Sequence, residues 1–265
     1  MKLNDLTGKT AIVTGAAQGL SCGMAEGLME AGAKVCIMDI NPKAEETAKQ
    51  FVEKGYECEA VITDLGNDET REAAFSQAVE KLGGHLDILV NGAGVQRRYP
   101  SEEFPLKEWD FVINVNLRSV FALCQLAGKT FMKQDSKGKI INIASMLSFF
   151  GGYTVPAYAA SKGGVAQVTK ALCNEWAEKG INVNVFSSSE ALFTSSMRFW
   201  SRSFFTNRAI LFSPRLSPFT MSFSMPLFST LSSTSHILRG PPFLSSVLVL
   251  YASSNRWSFV MMLNN

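Results

Sequence analysis

Histidine is almost absent from this chain of 265 residues, which contains only His85 and His236. A histidine-based metal centre or a Ser-His-Asp triad therefore has almost no residues from which to be built. The five cysteines include no CxxC pair, and several lie in apolar runs. This pattern favours buried thiols in a reducing compartment over disulfides or a metal site. We expect no bound metal, so the chemistry of any active site must come from other side chains.

A strong excess of charge and a long apolar segment are also missing. The formal net charge is +2 and charged residues make up 18% of the chain, which indicates neither a nucleic-acid footprint nor a disordered protein. The first ten residues lack the apolar core of a signal peptide. No stretch reaches the roughly 18 apolar residues of a transmembrane helix. These absences predict a cytoplasmic protein that binds neither nucleic acid nor membrane.

The first 186 residues alternate short β-rich segments with longer helical patterns. Apolar runs such as KVCIMDI and DILV lie between segments whose apolar residues recur at helical spacing. This alternation predicts a parallel sheet covered by helices on both faces, the doubly wound, Rossmann-like α/β architecture. The predicted strands are Thr10–Thr14, Lys34–Asp39, Glu59–Thr63, Ile88–Asn91, Lys139–Ala144 and Ile181–Phe186, and the predicted helices include 42–54, 68–82, 106–132 and 157–179.

The composition changes abruptly after Phe186. Residues 187–265 contain 20 Ser and 10 Phe, but no Lys, no Asp and one acidic residue, Glu190. No helical or strand period persists there, although SSVLVLYASS could form a buried strand, an exposed patch or neither. We therefore predict one Rossmann-like domain over 1–186 and an aberrant tail over 187–265. The tail is either a genuine variant or the product of a wrong reading frame or a rearrangement, and the abrupt change favours the second origin.

A glycine-rich turn, TGAAQGLS, follows the first predicted strand. Its glycines let the backbone approach a pyrophosphate, whose charge the N-terminus of the next helix would meet. A purely structural role is equally consistent with such a turn, and Ser21 stands where the usual third glycine would be. The candidate cofactor residues of the turn are Gly15, Gln18, Gly19 and Leu20.

Asp39 ends the second predicted strand, roughly 20 residues after the glycine turn. A carboxylate there can accept hydrogen bonds from the ribose hydroxyls of an adenosine and would repel a 2′-phosphate, so NAD is favoured over NADP. The alternative is that Asp39 only caps the strand. The fourth strand closes with LVNGAG, small residues at the edge of the sheet where ligands of such folds bind.

Tyr158 and Lys162 lie four residues apart in YAASK, hence on one face of a predicted helix. A tyrosine with a reference pKa of about 10 is a poor base at neutral pH, but an adjacent ammonium lowers that pKa. Ser145, thirteen residues before Tyr158, could hydrogen-bond a substrate oxygen or could cap a helix or turn. An isolated Tyr-x-x-x-Lys pattern is common in helices that carry no chemistry.

Together, the order and spacing of these motifs resemble the short-chain dehydrogenase/reductase family over residues 5–185. The resemblance implies that Tyr158 is the general acid/base and that Lys162 lowers its pKa and holds the nicotinamide ribose. It implies that Ser145 positions the reacting carbonyl or alcohol and that Asn116 supports a water-linked proton relay. Further cofactor contacts are implied for Asp64 and Leu65 in TDLGN, and for Asn91, Ala93 and Gly94, which match the family's NNAG motif with Gly92 in place of the second asparagine.

Within the family, GAGVQRRYPSEEFPLKEW and the segment from KIINIAS to GINVN resemble the sugar-acid dehydrogenases. This likeness implies an NAD-dependent oxidoreductase that interconverts a hydroxyl and a keto group on a sugar acid of the gluconate, 2-deoxy-D-gluconate or 2-dehydro-3-deoxy-D-gluconate type. Arg97 and Arg98 could pair with the substrate carboxylate or form a solvated basic loop.

The resemblance ends at the sixth predicted strand. Family members continue with a Pro-Gly turn, substrate-covering helices and a seventh strand, whereas this chain continues with SSSEALF. The family's homo-oligomer would lack its C-terminal strand here. An alternative to the working enzyme is therefore a catalytically impaired remnant that keeps only a nucleotide-binding half.

Overall fold

The structure, a computed structural model, describes residues 5–187 and three strands of the remaining chain. The chain divides into two compact units, Met1–Ala209 and Ile210–Asn265. The described part of the first unit contains a sheet and its helices, and the second unit contains the three further strands.

Six parallel strands form the sheet of the first unit, in the order β3-β2-β1-β4-β5-β6. The predicted strands agree with the observed ones to within one residue at each end, because apolar runs bounded by Gly, Asn and Asp mark strands clearly. The strand order reverses between β1 and β4, and ligands of doubly wound sheets bind at such a switch point. The strands are β1 (Thr10–Thr14), β2 (Lys34–Asp39), β3 (Cys58–Ile62), β4 (Ile88–Asn91), β5 (Lys139–Ile143) and β6 (Asn182–Phe186).

The helices follow the predicted segments with one difference. The segment predicted as a single helix over 106–132 is two α-helices joined by a π-helical turn, Asn114–Arg118. Such turns occur frequently at functional sites, and this one contains Asn116. The helices are α1 (Gly19–Glu30), α2 (Lys43–Glu53), α3 (Asp68–Lys81), α4 (Leu106–Ile113), α5 (Ser119–Lys133), α6 (Leu147–Phe150) and α7 (Pro156–Trp176).

Two apolar layers enclose the sheet. Helices α1 and α2 share one buried cluster with Val13, Val35 and Ile37. Helices α3, α5 and α7 share the other with alternate strand residues such as Ile12 and Leu89. Because the central strands are buried on both faces, their sequences are nearly continuous apolar runs. The doubly wound, Rossmann-like α/β fold is thereby confirmed for the first unit.

The helical run Leu106–Lys133 is, within residues 5–187, the one helix that is long and apolar enough by length and composition to cross a membrane. Half of its most apolar window, with a mean hydropathy of 1.3, is buried inside the fold. Residues of α5 such as Leu123 and Phe131 belong to the core beneath the sheet. A core helix that buries one broad face accounts for this composition.

Three strands form a separate antiparallel sheet in the second unit, in the order β7-β9-β8. They are β7 (Met221–Phe223), β8 (Ser246–Ser253) and β9 (Arg256–Leu263). The segment SSVLVLYASS, which the sequence left open, thus contains a strand. The rest of the predicted tail from residue 188 onward lies outside the described residues, so the boundary at 186 stays a prediction.

Candidate active site

The glycine turn has the geometry of an anion site. Gly15 and Gly19 have φ values of 69° and 68°, a left-handed conformation that glycine adopts without strain. Helix α1 begins at Gly19 with no side-chain cap from the described residues and no acidic residue in its first turn. Its first N–H groups and the positive end of its dipole are therefore available to an anion.

The turn packs directly against the β4 loop, residues 92–100, which follows strand β4. A Cβ atom added to Gly15 would lie 2.6 Å from the Cα of Ala93. The buried Thr14 hydroxyl accepts hydrogen bonds from the backbone N–H groups of Gly92 and Ala93, each at 3.1 Å. Thr14 was not predicted as a site residue, although its place before the first glycine is a usable signal. Its hydroxyl joins the glycine turn to the β4 loop.

Asp39 reaches the glycine turn from the end of β2. Its Oδ2 accepts a hydrogen bond from the Ala17 N–H at 2.9 Å, and its Oδ1 accepts one from the Asn41 N–H at 2.9 Å. The carboxylate therefore caps its own strand and also braces the turn. Each oxygen keeps a lone pair for another donor, so the predicted contact with ribose hydroxyls is compatible with both bonds.

Several predicted cofactor residues use their side chains within the protein. The Leu65 side chain is buried in the core, and the Asp64 carboxylate accepts a bond from the Gly66 N–H at 2.8 Å. The Asn91 amide donates to Asn142 at 2.8 Å and to the Cys124 sulfur at 3.4 Å. Leu65 and Asn91 can therefore contact a ligand only through their backbone atoms.

Lys162 is buried beside Tyr158 on helix α7. Its side chain is 3% exposed, and its Nζ lies 5.8 Å from the centre of the Tyr158 ring. The Nζ donates a 2.6 Å hydrogen bond to the backbone carbonyl of Ile143, at the end of β5. Burial lowers the pKa of Lys162 to about 8. A buried lysine with a strongly lowered pKa is a marker of functional sites.

Ser145 follows the end of β5 and has a local structural role. Its hydroxyl accepts a 3.2 Å hydrogen bond from the Leu147 N–H at the start of α6. Its own N–H donates to the Ser148 hydroxyl at 3.3 Å. The predicted capping role is therefore real, but it leaves the hydroxyl hydrogen of Ser145 available to a substrate oxygen. The bond from Lys162 to Ile143 fixes this strand end against α7.

Asn116 is fully buried and joins three elements. Its Oδ1 accepts from the Val95 N–H at 2.7 Å, and its Nδ2 donates to the Val95 carbonyl at 2.8 Å and to the Ser161 hydroxyl at 3.1 Å. Ser161, which was not singled out from the sequence, donates in turn to the Tyr158 carbonyl at 2.8 Å. The amide thus holds the β4 loop against α7, and its predicted part in a proton relay stays a prediction.

The β4 loop lies between the glycine turn and Lys162, one of the predicted catalytic residues. A Cβ atom added to Gly94 would lie 3.4 Å from the Asn116 Oδ1 and 3.6 Å from the Lys162 Nζ. Gly94 itself is exposed. An exposed backbone segment thus lies between the glycine turn and Lys162, at the carboxyl edge of the sheet.

The two predicted substrate arginines have different surroundings. Arg97 donates from Nε to the Glu108 carboxylate at 2.8 Å, and its guanidinium carbon lies 4.7 Å from the centre of the Phe111 ring. The Arg97 guanidinium therefore contacts two side chains of helix α4. Arg98 is exposed, and no described residue forms an ion pair with it. Of the two, Arg98 is the arginine left for a ligand.

The lowered pKa of Lys162 predicts a stability cost that a substitution would remove. The folded-state pKa is about 8 against an ordinary value of 10.5. Below pH 8 both the folded and the unfolded state bind the proton, and the folded state bears the full cost of burying the charge, about 3 kcal/mol. Between these two values the unfolded state binds more protons, so stability rises with pH.

We therefore expect Lys162→Met to raise the free energy of unfolding by about 2 kcal/mol at pH 7, after allowing about 1 kcal/mol for the lost hydrogen bond to Ile143. The gain should shrink as the pH approaches 10. Urea denaturation of the full chain at several pH values measures it. Lys170→Met, at an exposed position of the same helix, is the control and should change stability little at either pH. A gain for Lys162→Met that is absent at pH 7, or constant with pH, would contradict the expectation.

Comparison with known proteins identifies relatives of this chain. A sequence profile of the short chain dehydrogenase family matches residues 9–198, a range that includes every candidate site residue and extends past Phe186. The chain is 47% identical over 183 residues to a 2-dehydro-3-deoxy-D-gluconate 5-dehydrogenase of Escherichia coli strain K12, with 69% of this chain and 72% of that protein covered.

Solved structures show the same likeness. A gluconate 5-dehydrogenase from Burkholderia cenocepacia J2315, in complex with NADP and tartrate, is 34% identical with a TM-score of 0.66 over 74% of this chain and 80% of that chain. A short chain dehydrogenase from Mycobacterium smegmatis is 33% identical with a TM-score of 0.71 over 78% of this chain and 88% of that chain.

Proposed function

The chain belongs to the short-chain dehydrogenase/reductase family. We propose that it is an NAD-dependent oxidoreductase of sugar acids and that residues 1–186 carry its chemistry. The supporting observation is the buried Lys162, which lies beside the Tyr158 ring and next to the position of Gly94 in the β4 loop. The glycine turn fits a dinucleotide, because no described side chain caps the α1 N-terminus, which leaves its first N–H groups for a pyrophosphate.

In the proposed mechanism the side chains manage the proton. A nicotinamide bound at this edge would accept or donate the hydride. During alcohol oxidation the Tyr158 oxygen would take the hydroxyl proton as the carbonyl forms, and during reduction it would return that proton. By its charge, the Lys162 ammonium would favour the phenolate of Tyr158. The Ser145 hydroxyl would donate a hydrogen bond to the reacting substrate oxygen and hold it near Tyr158.

We propose NAD rather than NADP on the basis of Asp39. Its carboxylate lies against the glycine turn through the Ala17 N–H, where the 2′-phosphate of NADP would meet a negative charge. The Burkholderia relative was solved with NADP, so the choice of cofactor in this chain has to be tested directly. Initial rates with each cofactor test the proposal, and a preference for NADP would remove Asp39 from this role.

The sugar-acid substrate is supported by the relatives' names and by Arg98. A guanidinium beside the β4 loop can pair with a carboxylate. We expect Arg98→Gln to raise KM for the sugar acid about tenfold while kcat changes little. Arg97→Gln is the matched control, because its guanidinium is held by Glu108, and it should leave KM near the original value.

Gluconate, 2-deoxy-D-gluconate and 2-dehydro-3-deoxy-D-gluconate are the substrates to assay, with an uncharged polyol for comparison. Equal activity toward the polyol, or an equal rise in KM in both arginine variants, would contradict carboxylate recognition by Arg98. The compositional change after Phe186 favours a second hypothesis, a remnant that binds the nucleotide without turnover. NADH binding together with no turnover of any of these substrates would support the remnant.

A further inference from the structure

Two departures from the family's motifs lie in contact in this structure. Ser21 replaces the third glycine of the glycine turn, and Gly92 replaces the second asparagine of the NNAG motif. The two positions are 71 residues apart in the sequence. A Cβ atom added to Gly92 would lie 2.2 Å from the Ser21 Oγ, 3.0 Å from the Ser21 Cβ and 2.9 Å from the Thr14 carbonyl oxygen. The Ser21 side chain and the Thr14 carbonyl oxygen together therefore leave position 92 no room for a side chain, and the Ser21 Oγ is the closest of these atoms.

The third glycine of such turns permits close packing between the helix and the sheet. Here Ser21 lies in the first turn of α1 and is 5% exposed, so its hydroxymethyl group fills the space between α1 and the β4 loop. An interface this close accommodates a side chain on one partner and requires glycine on the other. We infer that Ser21 and Gly92 are a compensating pair. The contact needs one glycine, and here the β4 loop supplies it instead of helix α1.

The pair also has a positioning role in the proposed cofactor site. The Ser21 side of the contact belongs to the helix whose N-terminus would receive the pyrophosphate, and the Gly92 side leads to Gly94 beside Lys162. The spacing between these two segments therefore depends on the combined size of residues 21 and 92. A larger residue at position 92 alone should therefore move the β4 loop away from helix α1. A smaller residue at position 21 should then restore the spacing.

A double-mutant cycle in the full chain tests the inference. Gly92→Asn alone should lower the thermal unfolding midpoint and weaken NADH binding about tenfold or more, because overpacking forces the backbone apart. Ser21→Gly alone should weaken NADH binding by no more than about threefold. The double variant should recover most of the unfolding midpoint and most of the NADH affinity. A small part of the loss should remain, because a Cβ at position 92 would still contact the Thr14 carbonyl.

Gly128→Ala provides the control, because its added Cβ would lie 2.9 Å from the Trp176 ring at a separate place in the core. Ser21→Gly should not restore the stability of Gly128→Ala. If Gly92→Asn gives no soluble protein, recovery of folded protein in the double variant is the expected result. The inference is overturned if the double variant is no better than Gly92→Asn, or if Gly92→Asn behaves like the original chain.

The unfolding measurements need no ligand, so they separate this inference from the proposed function on which the NADH measurement rests. Rescue of the unfolding midpoint in a chain that never binds NADH would support the compensating pair and contradict the dehydrogenase. Absence of rescue in a chain that binds NADH would overturn the compensating pair and leave the proposed nucleotide site in place.

Discussion

Tyr158→Phe is expected to lower kcat by about a hundredfold or more, because it removes the exchangeable proton of the proposed general acid/base. The phenyl ring should keep its packing beside the Lys162 Nζ, which lies 5.8 Å from the ring centre. We therefore expect NADH binding to stay within about twofold of the original affinity. Steady-state kinetics with a sugar acid and fluorescence titration with NADH measure the two effects separately.

Tyr153→Phe is the matched control for this variant. Tyr153 lies five residues before Tyr158 and is 90% exposed, so loss of its hydroxyl should leave kcat nearly unchanged. Retained turnover in Tyr158→Phe would exclude the proposed mechanism. A parallel loss of NADH binding would instead show that the substitution disturbs the site as a whole.

The strands of the first unit were predictable because the apolar run that marks each strand lies within the sequence of that strand. In β2 the four central residues, Val35 to Met38, are apolar and buried, as a central parallel strand requires, and the sequence KVCIMDI shows this directly. The π-helical turn at Asn114–Arg118 was missed because it adds only a local irregularity to a continuous apolar periodicity. No pattern in the sequence distinguishes that turn from the α-helices on either side.

The candidate site was predictable where one motif contains both partners, as in the spacing of Tyr158 and Lys162. It was not predictable where the partner comes from another element. The Arg97 side chain pairs with Glu108 of α4, so of the two predicted substrate arginines only Arg98 has no ion pair with a described residue. The Asn91 amide bonds to Asn142 on the neighbouring strand, which places its side chain in the core. Ser21 and Gly92 are each visible as departures in the sequence, but only the fold shows their contact.

The C-terminal part of the chain leads to the second large prediction. Similarity to the Escherichia coli relative ends after 183 aligned residues and leaves more than a quarter of that protein without a counterpart. Within the described residues β6 is an edge strand of the parallel sheet, and an uncovered edge exposes unpaired N–H and C=O groups. The family resemblance implies that a seventh strand and a substrate-covering segment belong at this edge.

We therefore expect that replacing residues 187–265 with the corresponding C-terminal segment of the Escherichia coli relative will raise dehydrogenase activity about a hundredfold or more, because a poorly positioned substrate alone costs a factor of this size. The replacement should also raise the soluble yield, since it would supply a further strand at the β6 edge. The same chimera carrying Tyr158→Phe must be inactive, which shows that the gained turnover depends on the tyrosine of this chain. If the original chain turns over the sugar acid as fast as the chimera, residues 187–265 are a genuine C-terminal region, because only a segment that completes the substrate site could support that rate.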